Sequence, residues 1–277
     1  MRRILYKTSL GYLVYEIKSS FEEKDYTFHV GKIPSVVITT PSSDRAKPLV
    51  QSLEKSKIFE IVLISATMGY QLDIPSKHDT ASQLKNYGRV LSPNERACAI
   101  SHNNAREIVS KSSYGGVIFE DDARILNLSL LEEVVEKFLE FNLGENKILS
   151  LLNYKVGTNK RLNTSNLGNL IFIPLLAEAP LAVATVQTNI AAADLVGTSM
   201  DTSKVADWPK CKAKFYVLRF PVVNHGDAST ISIIGNTEER VQAKSSLSIK
   251  RGKLTQTFLR IRRKIDLLII HLFQIAI

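Results

Sequence analysis

The sequence predicts an α/β fold in which one mixed sheet is flanked by helices on both faces. Short apolar runs rich in β-branched residues, at 33–40, 58–64 and 115–119, are typical of buried strands. They alternate with segments of helical periodicity, which is the pattern of a layered α/β domain. The chain has 277 residues, of which 44% are hydrophobic, and this suffices for one large domain.

Turn and breaker residues separate the first elements. A cluster of Pro, Ser and Asp at 41–44 ends the first strand, and a helix is expected from there to about Lys55. The polar region 66–91 contains Gly and Pro and is expected to be a loop.

Residues 92–111 form the clearest predicted helix. Ser92 and Glu95 make a capping box, and Pro93 stands at the first helical position. One stripe of this helix is expected to face the core, and it consists of Cys98, His102, Ala105 and Val109.

Further elements follow the same alternation up to about residue 223. Helices are predicted at 129–142 and about 190–198. Strands are predicted at 147–153, 170–175, 182–187 and 214–223.

The C-terminal segment has a different character. Residues 250–264 hold seven Lys or Arg and no acid, so most of the net charge of +9 lies there. We expect a basic amphipathic helix at 245–277, after an N-terminal appendage at 1–30 and a central domain at 31–244. This helix would lie on an anionic membrane surface, pair with a second copy, or pack on its own domain, and we favour the membrane.

Composition argues against several classes of protein. Cys98 and Cys211 form no CxxC or Cys/His cluster, so neither zinc ligation nor a disulfide scaffold is expected, which fits a reducing cytoplasm. Because the positive charge is concentrated in one segment, a general nucleic-acid-binding surface is not needed to explain it. No run reaches the ~18 apolar residues that span a bilayer.

The acidic triplet Glu120-Asp121-Asp122 directly follows the strand at 115–119. Carboxylates at the end of a strand lie at the edge of the sheet where open α/β folds bind ligands. Glu120 and Asp122, at i and i+2, project to the same side and are suited to share one hard divalent cation. Such a cation, Mn²⁺ or Mg²⁺, would stabilise a departing diphosphate. The alternative is a solvated acidic turn.

The segment 91–122, LSPNERACAISHNNAREIVSKSSYGGVIFEDD, resembles glycosyltransferase family 25, the lipooligosaccharide-biosynthesis glycosyltransferases. Asn94 and Ala97 replace glycines that are usual in the family. The matching residues are Leu91, Ser92, Pro93, Glu95, Cys98, Ser101, His102, Glu120, Asp121 and Asp122.

Two flanking segments support the resemblance. Residues 36–56 look like the opening strand and helix of the family, with Arg45 at its arginine position, although Thr39 and Thr40 replace the usual Asn-Leu pair. Residues 205–209, VADWP, resemble a later Val-Asp-Trp segment.

The resemblance implies a GT-A-like, Rossmann-like nucleotide-sugar-binding fold. It also implies transfer of galactose, or sometimes glucose, from a UDP-sugar to lipooligosaccharide or another saccharide, usually with inversion. The cation expected at the acidic triplet makes this transfer metal-dependent. Inversion requires a base for the acceptor hydroxyl, and Asp207 is the first choice. With Asp122 also assigned to catalysis, the metal ligands would be Glu120, Asp122 and His225, and Asp227 is a further candidate.

Five residues are candidates for donor binding: Thr39, Arg45, Lys85, His102 and Asp121. Arg45 and Lys85 would pair with the diphosphate, or be solvated surface charges. His102 would contact or support the donor, or be a core histidine that bonds a loop.

The expected setting is the cytoplasmic face of a bacterial inner membrane. The expected partners are a UDP-sugar, a lipid-linked or other saccharide acceptor, the anionic membrane surface through 250–277, and a second copy in a homodimer. No nucleic acid is expected. One rival is a non-catalytic, membrane-associated binding subunit of the same fold, suggested by the replaced family positions. A second rival is a nucleic-acid binder that uses the basic tail.

Overall fold

The architecture was determined as a computed structural model. It describes residues 2–8, 11–17, 32–40, 44–73, 80–84, 90–152, 165–167, 170–174, 182–199, 211–218, 220–226 and 261. The predicted C-terminal helix lies outside these residues apart from Ile261, which is helical and exposed. Among the described helices, none has the length and apolar character needed to cross a membrane.

Twelve strands and four α-helices have both ends within the described residues. The strands are β1 Arg2–Thr8, β2 Gly11–Ile17, β3 Ile33–Thr39, β4 Phe59–Ser65, β5 Gly115–Glu120, β6 Ala123–Ile125, β7 Lys147–Ser150, β8 Ser165–Leu167, β9 Leu170–Pro174, β10 Ala184–Thr188, β11 Lys214–Leu218 and β12 Val223–His225. The helices are α1 Lys47–Leu53, α2 Pro93–Ser110, α3 Leu128–Phe141 and α4 Asn189–Ser199. Two short 3₁₀ helices cover Asp44–Ala46 and Gly69–Gln71.

Ten of these strands form one mixed sheet in the order β2-β1-β4-β3-β5-β10-β7-β11-β9-β8. Strand β3 pairs in parallel with both β4 and β5, and β7 pairs in parallel with β11. The other neighbours are antiparallel, including β1 with β4 at the N-terminal end of the chain. Strands β6 and β12 form a separate two-stranded sheet.

Helices cover both faces of the sheet, as predicted, because strand side chains alternate between the faces. Val36 and Ile38 of β3 pack in a cluster with α2 and α4. Val37, between them, packs in the larger cluster with α1 and α3. The mixed α/β arrangement predicted from the sequence is therefore confirmed.

The cap predicted for α2 is present. Ser92 accepts a hydrogen bond from the Glu95 amide at 3.2 Å, and the Glu95 carboxylate accepts one from the Ser92 amide at 3.0 Å. The inward stripe is confirmed for His102, Ala105 and Val109, which are buried, whereas Cys98 is half-buried and lines a cleft. The cap fixes the start of α2 at Pro93, and it therefore fixes the position of His102 along the helix.

Two local predictions were wrong. The region 66–91 was expected to be a loop, but it contains the 3₁₀ helix Gly69–Gln71 and helical residues at 80–84. The single late strand at 214–223 is instead β11 and β12, which belong to different sheets.

Candidate active site

The carboxyl ends of β3, β4 and β5 open into one cleft at the edge of the sheet. Parallel strands place their carboxyl ends together, and ligands bind at this edge in open α/β folds. The helix α2 forms one wall. The lining residues are Ile38, Thr39, Thr40, Arg45, Ala66, Thr67, Met68, Asn94, Ala97, Cys98, Ser101, His102, Glu120, Asp121 and Asp122.

Asp122 is the most enclosed of the three acids, with 9% of its side chain exposed. Its Oδ2 accepts a hydrogen bond from Arg45 Nη2 at 2.9 Å and lies 3.3 Å from His225 Nε2. Its carbonyl oxygen accepts the Gly226 amide at 2.7 Å, at the junction of β6 and β12. Its Oδ1 is buried and has no hydrogen-bond partner among the described residues.

Arg45 lies between two of the carboxylates. It is carried by the 3₁₀ helix Asp44–Ala46, and its Nη2 also lies 3.7 Å from Asp121 Oδ1. Arg45, which the sequence predicts to bind the diphosphate, is thus ion-paired with Asp121 and Asp122, although it still lines the cleft. A planar guanidinium can contact a carboxylate on one edge and present other donors to a ligand.

Asp121 is harder to ionise than an ordinary aspartate. Burial raises its pKa above the usual 3.8, and Arg45 opposes this shift. The neighbouring carboxylates Asp122 and Glu120 raise the pKa further, while Arg124 lowers it. Burial and the two neighbouring carboxylates therefore outweigh Arg45 and Arg124 at Asp121, so its pKa stays above the usual value.

Glu120 is held by the helix that faces it. Its Oε1 accepts a hydrogen bond of 2.9 Å from Nε2 of His102, whose side chain is only 1% exposed. The neighbouring Ser101 hydroxyl donates to the Ala97 carbonyl at 2.8 Å and accepts the Thr67 amide at 2.9 Å. Ser101 thus ties α2 to the loop after β4.

The family model described as "Glycosyltransferase family 25 (LPS biosynthesis protein)" matches residues 36–173. This chain therefore belongs to glycosyltransferase family 25. Among curated proteins, none matches the chain significantly. The match begins within β3, ends within β9 and includes every residue that lines the cleft. Family 25 membership implies a glycosyltransferase of lipopolysaccharide biosynthesis.

The potential metal ligands of this family 25 chain fall into two groups. His225 lies beside Asp122, whereas Glu120 is bonded to His102. Among the described residues, one set of three has ligand atoms all within 4.8 Å of one another, namely Cys98, His102 and Glu120. Sequence reasoning missed Cys98 because it looked for closely spaced cysteines, although the i, i+4 spacing of Cys98 and His102 was visible.

The other predicted residues have mixed outcomes. Thr39 lines the cleft, and its hydroxyl donates a long hydrogen bond of 3.4 Å to the Thr40 carbonyl. Lys85, Asp207 and Asp227 lie outside the described residues, so their assigned roles stay predictions. Asn94, which replaces a family glycine, packs closely on Gly69, where a Cβ would stand 2.2 Å from Asn94 Oδ1.

Proposed function

We propose that this chain is a metal-dependent transferase that moves a hexose, galactose by preference, from a UDP-sugar to a saccharide acceptor of lipopolysaccharide. One observation carries the proposal. Within the family 25 segment, Glu120, Asp121 and Asp122 converge with Arg45 and His102 on a single cleft at the carboxyl edge of the sheet. Acids and a guanidinium at this edge suit a nucleotide diphosphate together with its counter-cation.

The carboxylates fit a hard divalent cation by their chemistry. Asp122 Oδ1 is buried without a hydrogen-bond partner among the described residues, so it has a lone pair to offer. Oxygen ligands suit Mn²⁺ or Mg²⁺. Glu120 and Asp122 would hold the cation, with His225 beside Asp122, once their side chains move together from the two separate groups in which they lie. When bound, the cation would supply charge neutralisation for the departing diphosphate.

The surrounding residues orient these groups. His102 fixes the Glu120 carboxylate through the 2.9 Å hydrogen bond, and Arg45 fixes Asp122. Among the described residues, Arg45 is the arginine that lines the cleft, so we assign it to the donor diphosphate. Inversion needs a base that takes the acceptor proton, and Asp207 remains our proposed base.

We further propose that the enzyme acts at the cytoplasmic face of a bacterial inner membrane. The support is the run of seven basic residues at 250–264, which would be attracted to anionic headgroups. The same helix would be the place where a homodimer forms. A lipid-linked acceptor would make this location useful.

A non-catalytic binding subunit is the alternative, and one observation favours it. Arg45 already neutralises Asp122 through a direct ion pair, so Asp122 does not depend on a metal ion for its charge balance. Nucleotide binding without turnover is what this alternative predicts.

Turnover of a panel of nucleotide sugars separates the two functions. The purified chain would be given UDP-galactose, UDP-glucose or GDP-mannose, with a lipooligosaccharide acceptor and either Mn²⁺, Mg²⁺ or EDTA. We expect UDP release from a UDP-hexose with the metal and none with EDTA. Turnover that survives EDTA would contradict the metal assignment. If no donor is consumed but UDP binds in calorimetry, the chain is a binding subunit.

A further inference from the structure

A second kind of metal ligand lies in the wall of the same cleft. Cys98 and His102 stand at i and i+4 on α2, so they lie one above the other on one face of the helix. Glu120, at the end of β5, faces them and is hydrogen-bonded to His102. The three ligand atoms lie within 4.8 Å of one another, and all three residues line the cleft.

We propose that Cys98, His102 and Glu120 form a site for a thiophilic divalent cation, with Zn²⁺ as the best fit. A thiolate, an imidazole and a carboxylate together match the ligand preferences of zinc, whereas Mn²⁺ and Mg²⁺ prefer oxygen ligands alone. Three protein ligands beside an open cleft leave a fourth position for water or a substrate atom. This site differs in chemistry from the carboxylate site assigned to the donor cation.

The distances allow a tetrahedral ion after small side-chain movements. Zinc bonds of about 2.0–2.3 Å place neighbouring ligand atoms roughly 3.3–3.6 Å apart. His102 Nε2 and Glu120 Oε1 start at 2.9 Å and must separate slightly, while the remaining pairs start at no more than 4.8 Å. Rotations of Cys98 and Glu120 cover this difference, because both side chains border open space in the cleft.

Binding replaces a proton and a hydrogen bond. The Cys98 thiol loses its proton to solvent when the sulfur binds the ion. The proton that His102 Nε2 donates to Glu120 is given up and the other ring nitrogen, Nδ1, carries the proton of the neutral imidazole, so the His102–Glu120 hydrogen bond is exchanged for two bonds to the metal. His102 Nδ1 is buried with no partner among the described residues, so the site lacks the outer hydrogen bond that commonly strengthens a histidine ligand. We expect affinity about 10–100-fold below that of a site with such support, and therefore reversible occupancy.

Occupancy has a consequence that rests on the proposed function. Glu120 is shared by both sites, so a zinc ion would withdraw it from the donor cation. Zinc should therefore inhibit transfer even when Mn²⁺ or Mg²⁺ is in excess.

Cobalt absorption tests the site without reference to activity. Co²⁺ would be titrated into the full chain, and we expect a thiolate-to-cobalt charge-transfer band that saturates at one equivalent and is removed by Zn²⁺. The variant Cys98→Ser should lose this band, and Cys211→Ser should keep it. Cys211 is the matched control because it is also half-buried and forms no disulfide. No band in the wild type, or an unchanged band in Cys98→Ser, overturns the proposal.

Two measurements guard against ambiguous results. Mass-spectrometric mapping of alkylated thiols needs no variant, and Zn²⁺ should slow modification of Cys98 at least tenfold while leaving Cys211 unchanged. Equal protection of both thiols, or of neither, overturns the site. If cobalt binds as expected but no nucleotide sugar is turned over, the metal site stands and the transferase function fails.

Discussion

Replacing Arg45 with methionine removes the cation that lies between two acidic side chains. Arg45 donates to Asp122 at 2.9 Å and lies 3.7 Å from Asp121, and these acids are 9% and 13% exposed. A hydrogen bond between charged groups contributes about 1.5–3 kcal/mol. The contact at 3.7 Å adds less, because Arg45 is 23% exposed and solvent screens it. We expect the free energy of unfolding at pH 7 to fall by about 2–3 kcal/mol.

Urea unfolding of wild type, Arg45→Met and Arg45→Lys measures this loss. Lysine keeps the charge without the planar fork, so its loss should be intermediate. The control is Lys47→Met, which removes an exposed 2.9 Å ion pair with Asp44 and should cost no more than about 1 kcal/mol.

The destabilisation of Arg45→Met should also depend on pH. The pKa of Asp121 is already raised, and losing Arg45 removes a cation that lowers it, so the pKa rises further. Because the pKa of Asp121 is higher in the folded chain than in the unfolded chain, its contribution to the free energy of unfolding is fully present below the ordinary pKa of 3.8. That contribution is lost as the pH rises through the pKa of Asp121 in the folded chain. The deficit of Arg45→Met should therefore shrink as pH falls from 7 towards 4. A deficit that is equal to that of Lys47→Met, or independent of pH, would refute the ion-pair reasoning.

Three further variants test separate parts of the account. Asp121→Asn should raise the unfolding temperature at pH 7, because a neutral amide replaces a buried carboxylate that is ionised at that pH. Near pH 3 the carboxyl group of Asp121 is protonated, so the variant should give no gain. An equal gain at both pH values would contradict this. Gly226→Ala should destabilise the chain by about 1–3 kcal/mol in urea, since its Cβ would stand 2.7 Å from the Asp122 carbonyl oxygen. Ser92→Ala should cost about 1 kcal/mol through the lost helix cap, and Ser92→Thr should recover most of it.

Local signals predicted much of the fold. The Ser92–Glu95 capping box marks the start of α2, and the apolar run at 115–119 marks β5, because both depend on residues close in sequence. The division of residues 214–223 between β11 and β12 was not predictable in this way. It depends on pairing with β7 and β6, which are distant in the chain.

The candidate site shows the same limit. The sequence indicated that Glu120, Asp121, Asp122, His102 and Arg45 would matter, and the structure brings all five to one cleft. Their partners were not predictable, because they are set by tertiary contacts. Arg45 reaches Asp122 across 77 positions, and His102 reaches Glu120 across 18.

The central claim is that the acids after β5 form the active centre of a glycosyltransferase. The most direct test is kcat at saturating UDP-sugar for Asp122→Asn against Asp44→Asn. The amide keeps the shape of Asp122 and the backbone bond from Gly226, whereas Asp44 is an exposed acid next to Arg45. We predict that Asp122→Asn lowers kcat by about 10²-fold or more, as when a charge-stabilising group is removed, and that Asp44→Asn stays near wild type. A folded Asp122→Asn enzyme with wild-type kcat would contradict the account.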